Sequence, residues 1–305
     1  MKYIFFGTPE FAAIILEKLI NAGFIPEAVV CNPDKPVGRK KIITPPPVKK
    51  CVMNQVSSVK NKIKIIQPKN ILELKKLDYL THDTCDLSIV AAYAKILPKE
   101  ILEIPRLGTI GVHPSLLPKY RGPSPIQTAI LNGDEETGVT LYLVDEGLDS
   151  GAILANRKAQ IAKRNYKELE KILAELGADL LIEFLQKTNQ FLGSQTPLSI
   201  MNIMEVELPY IKPLLQDESQ ATYTKKFTTQ DAYIELKDLK MAQEQDGEAA
   251  IIIDRKIRAL NPEPGVWTIK ENKRIKILEA ILTPEGKLKL KKIQFEGKKP
   301  IDISN

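Results

Sequence analysis

Cysteine and histidine are scarce in this chain, with three of one and two of the other among 305 residues. The cysteines, Cys31, Cys51 and Cys85, are odd in number and widely spaced, which excludes a disulfide framework, a CxxC redox pair and a cysteine-rich zinc site. The polar run Thr81-His82-Asp83-Thr84-Cys85-Asp86 offers one His and one Cys, too few for zinc, so His82 reads as a solvated loop residue and no metal is expected. No apolar stretch approaches the roughly 20 residues of a membrane span. Met1-Lys2-Tyr3 leads directly into a strand, so neither a signal peptide nor a membrane is expected and the cytoplasm is the default location. The turn after that strand, Gly7-Thr8-Pro9-Glu10, is neither a GxGxxG fingerprint nor a phosphate-binding GK[ST] loop, which argues against NAD and ATP. Internal repeats and low-complexity tracts are also missing.

What is present is an apolar content of 43%, enough for a sizeable core, and a net charge of +6 that is unevenly placed. Residues 31–50 hold six Lys/Arg against one acid and residues 268–299 hold ten against four, so these two stretches outweigh the charge of the whole chain. A polyanion such as nucleic acid would neutralise them. The C-terminal stretch by itself reads rather as lysines that keep sheet edges soluble. Gly38-Arg39-Lys40-Lys41 is flanked by Pro33, Pro36 and Pro45 to Pro47, which disfavour helix and central strand, and it reads as a projecting binding loop built on Arg39, Lys40 and Lys41.

Hydrophobic periodicity predicts an α/β opening: strand Lys2 to Phe6, helix Phe11 to Ile20, strand Glu27 to Val30. Further strands are expected at Ile63–Ile66, Leu87–Ala91, Thr109–Val112, Val139–Val144 and Ile153–Ile161, with helices at Ile71–Leu77, Ile126–Leu131 and Tyr166–Leu185. The order implies a Rossmann-like, mostly parallel sheet with helices on both faces, occupying residues 1–188. A polar, proline-spaced linker is expected over 189–213. Residues 214–305 then read as a small β domain, with a helix Ala249 to Leu260 and strands near Val266–Ile269, Arg274–Leu282 and Lys287–Phe295, the last two joined by a Pro284-Glu285-Gly286 turn.

Chemistry is best placed between Gly108 and Gly151. His113 ends an apolar strand, where Pro114-Ser115-Leu116-Leu117-Pro118 is too proline-bounded to continue it. A second strand then leads to Gly147-Leu148-Asp149-Ser150-Gly151, a tight turn presenting Asp149. Strand ends and their loops gather into a crevice in parallel-sheet folds, so His113 and Asp149 are candidates for an acid/base pair.

His113-Pro114-Ser115-Leu116-Leu117-Pro118, Gly122 and Gly147-Leu148-Asp149-Ser150-Gly151 resemble the signature of the 10-formyl-tetrahydrofolate-dependent formyltransferases. The opening Ile4-Phe5-Phe6-Gly7-Thr8-Pro9-Glu10-Phe11-Ala12, the insertion Asn32 to Lys41, Gln216-Asp217-Glu218, Ala221-Thr222-Tyr223 and Ile257-Arg258-Ala259-Leu260-Asn261-Pro262 are similar to members of that family acting on methionyl-tRNA. The likeness implies transfer of formyl from 10-formyl-tetrahydrofolate to the α-amino group of methionine on initiator tRNA, by a monomer, without a covalent nucleophile. It implies that His113 hydrogen-bonds the formyl oxygen, that Asp149 orients His113 or accepts the amine proton through water, and that Tyr93, Ala94, Lys95, Ile96 and Leu97 line the pterin pocket with Ser115, Leu116, Leu117 and Pro118 as another wall. It also implies that the C-terminal domain is OB-like. The tail after Trp267 is short for such a barrel, leaving closure and a tRNA contribution open.

One position departs from the family pattern. Where the family has an asparagine two residues before the histidine, whose amide helps hold the formyl oxygen, this chain has Gly111. Losing one oxyanion donor typically costs about a hundred- to a thousand-fold in turnover. A backbone N–H, an ordered water, or an amide such as that of Gln127 are the candidates for a substitute. Competing readings are a sugar-nucleotide formyltransferase, a formyl-folate hydrolase, and a non-catalytic folate- or RNA-binding descendant, the last motivated by Gly111 itself. The basic insertion favours tRNA over the first two, and retention of His113 and Asp149 speaks against the third.

Overall fold

The computed structural model describes residues 1–38, 40–70, 73–74, 85–193 and 212–303. Two compact units emerge, each assembled from several chain segments: residues 1–121, 138–159 and 171–222 form one, and 122–137, 160–170 and 223–305 the other.

The first unit is built on a seven-stranded sheet. Its strands are β1 (Tyr3–Gly7), β2 (Ala28–Val30), β5 (Lys64–Ile66), β6 (Leu87–Ala91), β7 (Thr109–His113), β8 (Glu136–Leu143) and β9 (Ile153–Gln160). The spatial order is β5-β2-β1-β6-β7-β8-β9. Pairing is parallel from β5 through β7, and β8 runs antiparallel to β7. The central strands β1 and β7 are buried at every position, as expected for a parallel sheet covered on both faces. These are the strands that periodicity predicts, Leu87–Ala91 at both ends and the others with ends shifted by at most three residues.

Helix Glu10–Asn21 follows β1, burying Phe11, Ala12, Ile15, Leu16, Leu19 and Ile20 at helical spacing. Helix Tyr166–Gly193 continues past Leu185 into the segment expected to be linker, and 194–211 lie outside the described residues. Gly177 in its middle explains how closely it lies on the sheet. A Cβ there would come within 2.8 Å of Val112 Cγ1 and 3.2 Å of Val139 Cγ2, so the helix backs directly onto β7 and β8. The predicted helix Ile71–Leu77 and the loop holding His82 fall largely outside the described residues; Glu73 and Leu74 are helical.

The basic insertion, read from the sequence as a projecting binding loop, is flanked by the two strands of an antiparallel hairpin, β3 (Lys35–Val37) with β4 (Ile42–Thr44). Pro36 is tolerated because a hairpin strand has an outer edge that needs no N–H. The tip carries Lys40 and Lys41, both exposed, with Lys41 in the left-handed region at φ 49°; Arg39 lies outside the described residues.

In the second unit, β10 (Trp267–Lys270), β11 (Lys273–Leu282), β12 (Leu288–Phe295) and β13 (Ile301–Asp302) form an antiparallel meander in chain order. Closure is not achieved among the described residues: β10 and β13 end the four-stranded sheet, and the start of β10 is bridged in parallel by Tyr233 through Trp267. Helix Glu248–Leu260 buries Ala250, Ile253, Ile257 and Leu260 in this unit. Asn261 secures its end, donating to the Ile277 and Leu278 carbonyls at 2.9 and 3.0 Å and accepting from Val266 N at 3.0 Å. Helix Leu236–Glu244 is not anticipated by the sequence reading; it is short and buries little beyond Leu239 and Ala242.

Candidate active site

His113 closes β7 and is 6% exposed. Its Nε2 lies 2.9 Å from the Tyr120 carbonyl oxygen. A carbonyl can only accept, so Nε2 carries the proton and Nδ1 is the nitrogen turned toward Asp149 Oδ2, 3.6 Å away. That separation is within ion-pair range and longer than a direct hydrogen bond. The structure thus brings together the two residues proposed from sequence as an acid/base pair.

Asp149 owes its position to the turn around it. Its own φ is +52°, and a Cβ on Gly151 would meet the Leu143 carbonyl oxygen at 1.7 Å, so only glycine fits there. Asp145 braces the turn, accepting from the Gly147 N–H at 3.1 Å and from the Ser150 hydroxyl at 2.9 Å. Gln216 holds it from the other side, donating through Nε2 to the carbonyls of Asp149 and Gly151 at 2.9 and 2.7 Å.

Gln216 is in turn gripped by Arg121, the largest fully buried side chain among the described residues. The guanidinium donates to Gln216 Oε1 at 3.1 and 2.8 Å and forms a two-pronged pair with Glu218 at 2.9 and 2.7 Å. The Arg121 hydrogen bonds hold the Glu218 carboxyl below its usual range. Sequence reasoning quoted Gln216-Asp217-Glu218 without a role and passed over Arg121. An arginine beside prolines and glycines has no pattern announcing that it will be buried.

The loop after His113 is equally fixed. Leu117–Pro118 is a cis peptide. Thr140 on β8 donates to the Ser115 carbonyl at 2.7 Å and accepts from Leu117 N at 3.1 Å, while the buried Ser115 hydroxyl donates to the Lys119 carbonyl at 2.6 Å. Thr222 completes the clamp: its hydroxyl accepts from Tyr120 N at 2.8 Å and its carbonyl from Arg121 N at 2.8 Å. Ser115 therefore serves the loop backbone, whereas Leu116 and Pro118 are half-buried and Leu117 is buried.

The loop after β6 contains the residues implied for a pterin pocket. Ala92 and Ala94 take positive φ, 47° and 63°, which turns the chain sharply beyond the strand. Ile96 is 83% exposed, unusual for so large an apolar side chain, while Leu97 is buried. Lys95 donates to the Pro68 carbonyl at 2.8 Å. Tyr93 is buried against Phe6 with the rings edge to face, and its hydroxyl has no hydrogen-bond partner among the described residues. Burial, reinforced by Cys31 nearby, pushes that phenol up to about 12.

Gly111 is paired across the sheet with Tyr142 of β8. The space beside it is not left to water: an ideal Cβ on Gly111 would stand 2.2 Å from Tyr142 Cε1. The Tyr142 hydroxyl donates to Asp149 Oδ1 at 2.6 Å. Burial first, then the Asp149 charge, keep this phenol protonated well above the ordinary tyrosine range. Among the described residues no group of three His, Cys, Asp or Glu gathers as a metal site.

Comparison with known proteins agrees with this layout. The family model for formyl transferase matches residues 1–185, and that for the formyl transferase C-terminal domain matches residues 247–287. A methionyl-tRNA formyltransferase of Kosmotoga olearia is 36% identical, the match covering 99% of this chain and 94% of its own. Among solved structures, a methionyl-tRNA formyltransferase from Clostridium thermocellum has a TM-score of 0.56 at 17% identity, covering 97% of this chain and 98% of that one. An N-formyltransferase from Helicobacter canadensis, in complex with folinic acid and dTDP-3-aminofucose, has a TM-score of 0.59 at 18% identity, covering 93% and 89%. At such identities the solved structures speak for the fold alone, and a tRNA enzyme and a sugar enzyme match it equally well. Full-length sequence identity and the family models together decide the kinship: this chain belongs to the formyl transferase family.

Proposed function

We propose that the chain transfers the formyl group of 10-formyl-tetrahydrofolate to the amino group of methionine on initiator methionyl-tRNA, supplying translation initiation in the cytoplasm. The observation that carries this reading is the meeting of His113 and Asp149 at the carboxyl end of β7, in a chain 36% identical over nearly its full length to a methionyl-tRNA formyltransferase.

In the reaction a C–N bond forms between the methionine amine and the formyl carbon, and the bond to the folate nitrogen breaks. One proton must leave the amine and one must reach the folate nitrogen, while negative charge develops on the formyl oxygen. The Nε2–H of His113, given to the Tyr120 carbonyl in the free protein, is the donor offered to the formyl oxygen when substrate displaces that bond. Asp149 Oδ2 accepts the amine proton through water, its other oxygen being engaged by Tyr142, and the same proton passes to the folate nitrogen as the bond from that nitrogen to the formyl carbon breaks, which returns Asp149 to its carboxylate form. The folate co-substrate, the source of the formyl group, would lie along Tyr93 to Leu97 and Ser115 to Pro118, with Ile96 covering a ring face.

For the nucleic-acid partner, the support is the β3–β4 hairpin, which presents Lys40 and Lys41 on an exposed tip. A lysine there is a phosphate contact in waiting, and its affinity would fall with salt as counterions are released. The test is a competition assay in which purified protein receives labelled formyl-folate with charged initiator tRNA, an amino sugar nucleotide and water as acceptors. Preferential formylation of methionyl-tRNA is expected. Label appearing mainly on the sugar, or as free formate, would overturn the reading.

A further inference from the structure

Position 111 and position 142 behave as one unit in this fold. In the antiparallel β7–β8 pair Gly111 faces Tyr142, and directly opposed residues project from the same face of the sheet. Built onto Gly111, a Cβ would lie 2.2, 2.5 and 2.8 Å from Cε1, Cζ and Oη of Tyr142. Ordinary carbon contacts are nearer 3.5–4.0 Å. No side chain, not even that of alanine, therefore coexists with the tyrosine ring in its present place. The hydroxyl stands within the first atoms' reach of where a side chain from 111 would begin.

That hydroxyl has one proton, and it goes to Asp149 Oδ1 at 2.6 Å, in the range of short, charge-assisted O–H···O⁻ bonds. The ring is wedged against Leu117 and Ile153 and meets the His113 imidazole at 90°, with centroids 6.4 Å apart. The Asp149 side chain is 16% exposed, so which neighbour each of its oxygens faces is set by packing and hydrogen bonding. With Oδ1 fixed by the phenol, Oδ2 is the oxygen left facing His113 Nδ1.

Resting on the reading of His113 and Asp149 as the centre of a formyl transferase, we infer that Tyr142 is the positioning residue that makes Gly111 workable. It fills, from β8, the space where the family places an asparagine on β7, and it moves the polar anchoring of the site onto Asp149. Because its proton is held by the carboxylate, the phenol acts through Asp149 and not as a replacement donor to the formyl oxygen. Gly111→Asn alone then brings no gain in turnover: the new side chain collides with the ring and dislodges the tether.

Two measurements test this. The first compares single-turnover formyl transfer by wild type, Tyr142→Phe, Gly111→Ala, Tyr142→Leu and the Gly111→Ala/Tyr142→Leu double variant. Tyr142→Phe keeps the ring and should lower the rate about ten-fold, the scale of one charge-assisted hydrogen bond, with KM for both substrates within two-fold and an altered pH–rate profile. Gly111→Ala should be harmful in the presence of Tyr142 and nearly harmless in the Tyr142→Leu background, a non-additivity that independent sites do not show. The second measurement is the ¹⁵N NMR titration of His113 in wild type and Tyr142→Phe, which needs no turnover and so separates failure of this inference from failure of the proposed function. Unchanged His113 titration in Tyr142→Phe, or additive effects at 111 and 142, would overturn the pairing.

Discussion

Replacing Arg121 by Met tests whether the Asp149 turn is held from behind. The substitution keeps an unbranched apolar stem in a fully buried position and removes only the guanidinium, so overpacking and cavity effects stay small. Glu218 and Gln216 are both released. Glu218 is 68% exposed, so its carboxylate rehydrates and its release matters little. Gln216 differs: its Oε1 loses both guanidinium donors in a half-buried setting. An orphaned buried acceptor costs about 1–3 kcal/mol, and partial exposure places this one toward the lower end. Gln216 regains a partner only by rotating, which withdraws its amide from the Asp149 and Gly151 carbonyls. If about 1.4 kcal/mol of that is lost as correct placement of Asp149, kcat falls about ten-fold. The assay is steady-state formylation with both substrates saturating, alongside urea unfolding followed by circular dichroism. Expected is a ten-fold lower kcat with KM for tRNA within two-fold; Gln216→Leu should be at least as damaging and Glu218→Gln close to neutral. A kcat within two-fold of wild type in Arg121→Met, or Glu218→Gln as damaging as Gln216→Leu, would refute the chain of support from Arg121 to Asp149.

Other expectations follow from the same geometry. His113→Ala and Asp149→Asn should each lower turnover at least about a hundred-fold with the fold intact, the lower range for a positioned acid/base or oxyanion donor; a near-normal rate for either removes it from the mechanism. Alanine at Arg39, Lys40 and Lys41 together should raise KM for tRNA and flatten its salt dependence while leaving folate binding unchanged, as measured by kinetics at several ionic strengths. Hydrogen bonds from Gln67 and Lys49 hold the Asp34 carboxyl below its ordinary range. Its contribution to stability is therefore present above the ordinary aspartate pKa and disappears as pH falls through the lowered value, so Asp34→Asn should reduce the slope of stability against pH below about pH 4. Burial pushes the thiols of Cys31, Cys51 and Cys85 up to about 11, so alkylation at neutral pH should be slow in the folded protein and reach all three after denaturation; rapid native labelling would contradict that.

Much of the scaffold was legible in the chain because burial imposes a period. The largely apolar runs around Ile4–Phe6 and Leu87–Ala91, the second broken only by Ser88, occur where a parallel strand is covered on both faces, and the spacing of Phe11, Ile15, Leu16 and Leu19 is that of a helix with one covered side. Where local signals oppose the final structure, reading fails. Pro36 disfavours a central strand but leaves an edge strand open, and that is what Lys35–Val37 forms, while the charged face of Leu236–Glu244 obscured a helix whose apolar contact is narrow.

By itself the sequence determined which residues could carry the chemistry: a histidine at a strand end, an aspartate on a glycine-flanked turn, a basic insertion, and a glycine where a side-chain amide belongs. It also determined the family, since those motifs are runs of neighbouring residues and need no fold to be seen. Tertiary structure alone decided what surrounds them. Tyr142 reads in the sequence as one more alternating residue of β8, and only the antiparallel register, Gly111 against Tyr142, turns an apparent vacancy into a filled one. Arg121, Gln216 and Thr222 likewise gain meaning only when loops distant in the chain close around Asp149 and the Pro118–Arg121 segment. Period and composition report how each residue meets the core. Which residues meet each other depends on register and loop closure, and no local pattern encodes those.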